Sequence, residues 1–167
     1  MAPRAAARLE TLGFRNIFEY KPGKLDWMAA GLPTEGESSM HPRAADGARK
    51  DVPICLLDEL VADVRKRAEL EHWNEAVAVD RQGTVLGQLR SKQLEDDRGE
   101  TVERAMLSGP STFRPYVPMK EIADYLAEHD LESAPITTSD GRLVGLLRRE
   151  DAARLAEGCP DCARKMI

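Results

Sequence analysis

A chain of 167 residues with 42% apolar content is long enough for one medium domain or two small ones with a real core. The formal charge of -5 is unevenly spread, +2 over residues 1–50 and -7 over the remainder, and a negative main body repels phosphate backbones, which argues against nonspecific nucleic-acid binding. No run approaches the roughly 18 apolar residues of a membrane-spanning helix, and the start lacks the apolar block of a secretory signal, so a cytoplasmic protein with free thiols at its three cysteines is expected.

Along the chain, residues 1–33 form a short piece that opens on a helix from about Ala5, passes Gly13-Phe14, and runs on to Trp27 and Pro33. Residues 34–50 are polar and small without an apolar period, and read as a linker. The unit over 51–107 starts a helix near Asp58, whose carboxylate suits a cap, with Leu60, Val61, Val64 and Ala68 as its apolar stripe. An apolar run from Ala76, a turn at Arg81–Gly83 and a second run ending at Arg90 read as a hairpin, followed by a helix near Ser91 and a connecting helix over 100–107. The unit over 108–157 opens on a stiff stretch with Pro110, Pro115 and Pro118, then a helix with Met119, Ile122, Ala123 and Leu126 on one face. A hairpin through Gly141 and a closing helix near Arg149 complete it, and 158–167 is a tail.

The central observation is that the second unit repeats the first. Ala76–Arg90 lies on Ala134–Arg148 without a gap, placing Gly83 on Gly141, Gly87 on Gly145, Leu89 on Leu147 and Arg90 on Arg148. One unit of about 50 residues is too small to bury its sheet face, so the pair is the expected folding unit.

On these residues, residues 51–157 resemble a pair of CBS domains: the strand Ala134–Ile136, the turn Asp140-Gly141, the strand Leu143–Leu147, and Asp151 three places after Arg148. The resemblance implies an α/β fold, a tandem CBS domain pair with pseudo-two-fold symmetry. It also implies a non-catalytic regulatory role, binding of an adenosine-containing ligand (AMP, ADP, ATP or another adenosyl compound) in a shared cleft, and homodimers. Family members carry a small hydroxyl residue where this chain has Arg90 and Arg148, and an Asp where it has Gln93 and Asp151. The site implied is therefore in the second unit. Asp151 would hold ribose, Arg148 would meet phosphate, Ala134, Pro135 and Ile136 would wall the base, and Phe113 and Arg114 would reach the cleft, with Arg90 as the first-unit counterpart. A purely structural dimerisation or protein-interaction module with a degenerate site is equally compatible with these residues.

Residues 5–33 resemble the last quarter of a rhodanese domain, through the order helix, Gly13-Phe14, strand, and through the Gly23, Trp27, Gly31-Leu32-Pro33 ending. The chain has no cysteine before Cys55, so none stands where that family carries sulfur. A remnant of a sulfurtransferase whose catalytic part is missing is the third reading. Cys159 and Cys162 have the spacing of a zinc or redox pair, but a lone pair would supply only two of the four ligands of a structural zinc and no second pair is present in the chain, so a tail without a metal is expected.

Overall fold

The computed structural model describes residues 2–20, 23–29, 32–33, 35, 41–96 and 99–157. The N-terminal piece holds α1 (Ala2–Thr11) and α2 (Lys24–Ala29). Between them residues 14–20 form no strand, which differs from the helix-then-strand order of the rhodanese resemblance. A strand needs a neighbour to bond with, and none of the described strands takes this segment into its sheet. Phe14 and Phe18 stand exposed, Phe18 at 90%. The piece is held locally, by Tyr20 Oη donating to Asp26 Oδ2 (2.5 Å), the edge-on Tyr20–Trp27 pair, and Trp27 Nε1 donating to Pro33 O (2.8 Å).

The body begins earlier than the linker reading has it. Residues 41–50 carry α3 (Ala44–Gly47), whose Ala44 is fully buried in the core of the second unit. Arg49 pairs with Leu146 in an antiparallel bridge closed by two hydrogen bonds of 2.9 Å. The cause of the misreading is that a single helical turn followed by a single bridge is too short to show either hydrophobic period.

The first unit then runs β1 (Ile54–Cys55), α4 (Val61–Leu70), β2 (Ala76–Val79), β3 (Val85–Leu89) and α5 (Ser91–Glu95). Next come α6 (Val102–Ala105) and β4 (Leu107–Ser108). The connecting helix expected over 100–107 is thus one turn, because its last residues pair with β3 instead. The second unit has α7 (Met119–Glu128), β5 (Ser133–Thr137), β6 (Leu143–Arg148) and α8 (Arg149–Glu157). One sheet has the order β1-β2-β3-β4 and the other is the hairpin β5-β6. Asp58 lies ahead of α4 and does not cap it; Leu60 is the N-cap residue, half exposed, and the buried stripe is Val61, Val64 and Ala68.

The offset of 58 residues seen in the hairpins relates the described elements of the two halves. It carries α3 onto α6, α4 onto α7, β2 onto β5 and β3 onto β6. Bridges follow it too: Arg49–Leu146 answers Leu107–Gln88, Arg43–Pro118 answers Thr101–Leu60, and Phe113–Ile136 answers Cys55–Ala78. Each long helix is followed at the same place by a residue of positive φ, His72 and Asp130. Each hairpin turns on a glycine with φ near +85°, Gly83 and Gly141, a conformation that costs a side-chain-bearing residue strain. Gly87 and Gly145 are equivalent as well. A Cβ on Gly145 would meet Arg49 O at 2.6 Å and Ala48, and a Cβ on Gly87 would meet the corresponding Leu107 O and Met106.

The segment preceding each hairpin unit therefore packs on the other unit, and the halves are interlocked. Val85 N donates to Gly141 O (3.0 Å) and Leu143 N to Gly83 O (2.9 Å), a reciprocal pair across the approximate two-fold. Strand alternation completes the join. On β6, Leu147 enters the second core while Leu146 enters the first.

Candidate functional site

The end of β6 and the start of α8 bring the two principal predicted residues together. Arg148 is the last residue of β6, and Asp151 sits in the first turn of α8, where a carboxylate is favoured by the free amides and the helix dipole. The Asp151 side chain is only 15% exposed and is ion-paired with Arg154. Arg148 lies over the indole of Trp73, with Cζ 4.1 Å from the ring centroid, and its Nε is buried without a hydrogen-bond partner.

Two further side chains join them. The Arg49 guanidinium is 4.4 Å from the same ring and is bonded to Asp51 (2.6 Å). That bond holds the Asp51 carboxyl below its ordinary range. It also raises Arg49, which additionally feels the charges of Asp151 and Glu150. Arg49, Asp51 and Trp73 are absent from the predicted set. Arg49 lay in the segment read as linker, but Trp73 had a signal: it stands where the repeat has Leu131, an aromatic in place of an aliphatic.

The other predicted residues are elsewhere. Ala134, Pro135 and Ile136 lie on β5 and are buried, with Ala134 and Ile136 inside the second core, so those two side chains are packing groups and not the open wall of a cleft. Phe113 packs on that core edge-on to Tyr125, with ring centroids 5.2 Å apart. Arg114 is spent on the chain itself, donating to Thr137 Oγ1 (2.7 Å) and to the carbonyls of Thr137 and Thr138. Arg148 pairs with Ser133 at the opposite end of β5, about 13 Å away at the usual strand rise. The expected set thus divides into an ionic group around Arg148 and a packing group around Phe113. Arg90 directly follows β3, at the place where Arg148 ends β6, and its Nε is likewise buried and unpartnered, but the places of Asp151, Trp73 and Arg49 hold Gln93, Leu131 and Leu107.

Two cavities lie between the halves, and only the second is lined by a member of this group. One of about 320 Å³ runs between Lys50, Val52 and Ile54 on one side and Leu143, Val144 and Gly145 on the other. It falls at the low end of the size range of small-molecule sites. A second, of about 260 Å³, is lined by Arg148 and Arg149 together with Glu75, Glu132 and Glu150. Behind it the two halves are stitched by buried polar groups. Gln88 Nε2 donates to Glu75 Oε2 and to Ser133 Oγ, both at 2.7 Å, and Ser133 Oγ donates to the same carboxyl oxygen.

No cluster of three or more metal-ligating side chains occurs among the described residues. The Cys159 and Cys162 pair lies outside them. Burial pushes the Cys55 thiol up to about 12, so it is not a nucleophile near neutral pH. No helix among the described residues is long and apolar enough to cross a membrane.

Residues 102–158 match the family model of the CBS domain. The match begins at the first residue of α6, the repeat-mate of α3. Solved structures share the fold. The CBS domain pair of protein MJ0100, in complex with 5'-methylthioadenosine and S-adenosyl-L-methionine, superposes with a TM-score of 0.64 at 20% identity, over 71% of this chain and 98% of that one. The cytosolic domain of the Mg2+ channel MgtE, in complex with ATP, gives 0.63 at 19% identity, over 71% of this chain and 51% of its own. CBSX2, a CBS-pair protein from Arabidopsis thaliana, in complex with AMP, gives 0.62 at 19% identity, over 69% and 96%. Among curated proteins no match is found. The fold is that of a CBS domain pair.

Proposed function

We propose that the chain is a non-catalytic regulatory module that binds one adenosine-containing nucleotide between its two halves, at the end of β6 and the start of α8. One observation carries the reading. The interlocked repeat brings a cation (Arg148), a carboxylate (Asp151) and a ring (Trp73) from both halves to one place, and Arg148 lines a cavity of about 260 Å³ between the halves. Arg148 would take phosphate, since a guanidinium matches its oxygens two at a time. Asp151 would accept ribose hydroxyl protons after exchanging its contact with Arg154, whose side chain is largely exposed and so easily displaced. The neighbours solved with methylthioadenosine, ATP and AMP agree in the class of ligand.

Thermal unfolding with AMP, ADP, ATP, S-adenosylmethionine and NADH tests this. A ligand present at 100 times its dissociation constant adds about 2.7 kcal/mol. Asp151→Ala is expected to abolish that gain, while an unchanged gain would move the ligand elsewhere. The second reading, an interaction module with a degenerate site, is favoured by the closed Asp151–Arg154 pair; it requires that none of these compounds stabilises the chain. Assembly as a homodimer belongs to both readings. So does a rhodanese-like origin for the first 33 residues, which their exposed Phe14 and Phe18 support, as aromatic groups that a fuller sheet would cover.

A further inference from the structure

We infer that the anion seat of this site is a pair of guanidiniums held on one indole, Arg49 and Arg148 over Trp73, and that it selects phosphate-bearing ligands over uncharged or cationic adenosyl compounds. The inference rests on the nucleotide reading above and adds to it the residues that set its specificity.

The geometry follows from strand register. Arg49 faces Leu146 across an antiparallel bridge, and Arg148 is two residues further along β6, so the two arginines project from the same face. Both guanidiniums reach the Trp73 ring, at 4.4 and 4.1 Å from its centroid. Each is attracted to the ring, but two cations gathered on one ring repel one another, and a bound anion offsets that repulsion.

Neither arginine is committed to a strong alternative. Arg49 holds Asp51, yet both side chains are about half exposed, and such a pair exchanges for little in water. Arg148 makes no ion pair among the described residues and leaves its Nε buried and unpartnered. The cavity of about 260 Å³ that Arg148 also lines carries Glu75, Glu132 and Glu150. Those carboxylates repel a phosphate, which directs it to the Arg49 side. Planar guanidiniums bind phosphate through paired hydrogen bonds, whereas the sulfonium and ammonium of S-adenosylmethionine would meet two like charges.

The repeat supplies an internal control. The equivalent place in the other half has Arg90, but Leu107 and Leu131 stand for Arg49 and Trp73. It lacks both the second cation and the ring, so one seat per chain is expected.

The test uses the full chain, with Trp27→Phe so that Trp73 alone reports by fluorescence, alongside calorimetry. Probes are ATP, pyrophosphate, 5'-methylthioadenosine and S-adenosylmethionine. Pyrophosphate and ATP should both perturb Trp73, and Arg49→Gln should weaken ATP by about tenfold or more; circular dichroism verifies that this variant is folded. Methylthioadenosine or S-adenosylmethionine binding as tightly as ATP, or an Arg49→Gln variant with unchanged ATP affinity, overturns the seat. The two ideas separate cleanly. Pyrophosphate binding without any adenosine compound keeps the seat and removes the nucleotide reading. Adenosine compounds binding with no response to pyrophosphate does the reverse, and silence from all four probes removes both.

Discussion

The two halves share a backbone plan through their common elements and differ in what they do with it. At one set of equivalent places the first half has Cys55 and Arg67 where the second has Phe113 and Tyr125. The second half fills that space with an edge-on aromatic pair. The first leaves a groove of about 470 Å³ beside Cys55, Glu59 and Arg67, with Arg67 Nη2 reaching Ile54 O (2.8 Å) and Glu59 (2.9 Å). At another set, Trp73, Arg49 and Asp51 replace Leu131, Leu107 and Gly109. Duplication thus supplies the frame twice, and the chemistry arises where the copies depart from each other.

The sharpest way to break the comparison is through the shared frame. Leu89 and Leu147 are repeat-mates, each wholly buried in the core of its own unit. Replacing either by Ala removes buried methyl groups and leaves a cavity, at a cost of about 2–5 kcal/mol in urea unfolding. Similar losses at the two positions are expected. A loss at one and none at the other would mean that the halves do not contribute equally to a single fold.

The glycines sharpen it further. Gly145→Ala drives a methyl against the Arg49 carbonyl at 2.6 Å, and backbone can yield only by moving the bridge to Leu146. A loss of about 1–3 kcal/mol follows from such overpacking. Gly87→Ala meets chiefly the Met106 side chain, and an unbranched thioether repacks easily. Its loss should be the smaller of the two. Because Gly145 also positions Arg49, its substitution should weaken ligand binding as well, while Gly87→Ala leaves binding unchanged.

What the sequence made legible was whatever repeats locally. The hairpins showed themselves through Gly83, Gly141 and apolar runs, and the helix α7 through Met119, Ile122 and Leu126 on one face. The interlock did not, because its parts are one helical turn and one bridge, and their partners lie about 100 residues away in sequence. The same blindness hid Arg49, whose role depends on which strand it meets. Arg148 and Asp151 could be placed side by side from sequence because they sit on one continuous strand-to-helix turn. Arg114 was misplaced because sequence proximity to the cleft does not say which end of β5 a side chain reaches; its three contacts to Thr137 and Thr138 tie it to the far end.

The smallest expected effect compares the two hairpin turns. In the first, Asp80 Oδ1 accepts from Gln82 N and Thr84 N, both at 2.8 Å. In the second, the repeat-mate Thr138 does that work: its Oγ1 accepts from Arg142 N (3.0 Å) and donates to Asp140. The backbone bond to Thr84 holds the Asp80 carboxyl below its ordinary range, and the Thr138 hydroxyl does the same for Asp140. A carboxyl lowered on folding stabilises the fold above its unfolded pKa, near 3.8, and that contribution disappears as pH falls through the folded value. Both groups lie at the surface, Asp140 exposed and Asp80 partly so, and the contribution is small and shows only as a slope on the acid limb of unfolding. Asp80→Asn should flatten that slope while keeping the turn, since an amide oxygen still accepts both bonds. Thr138→Val should lower stability at neutral pH as well, because it removes the acceptor along with the donor to Asp140. Parallel acid limbs for Asp80→Asn and the parent chain would show that the Asp80 carboxylate charge does not stabilise its turn, leaving the two turns alike in energetics despite their different chemistry.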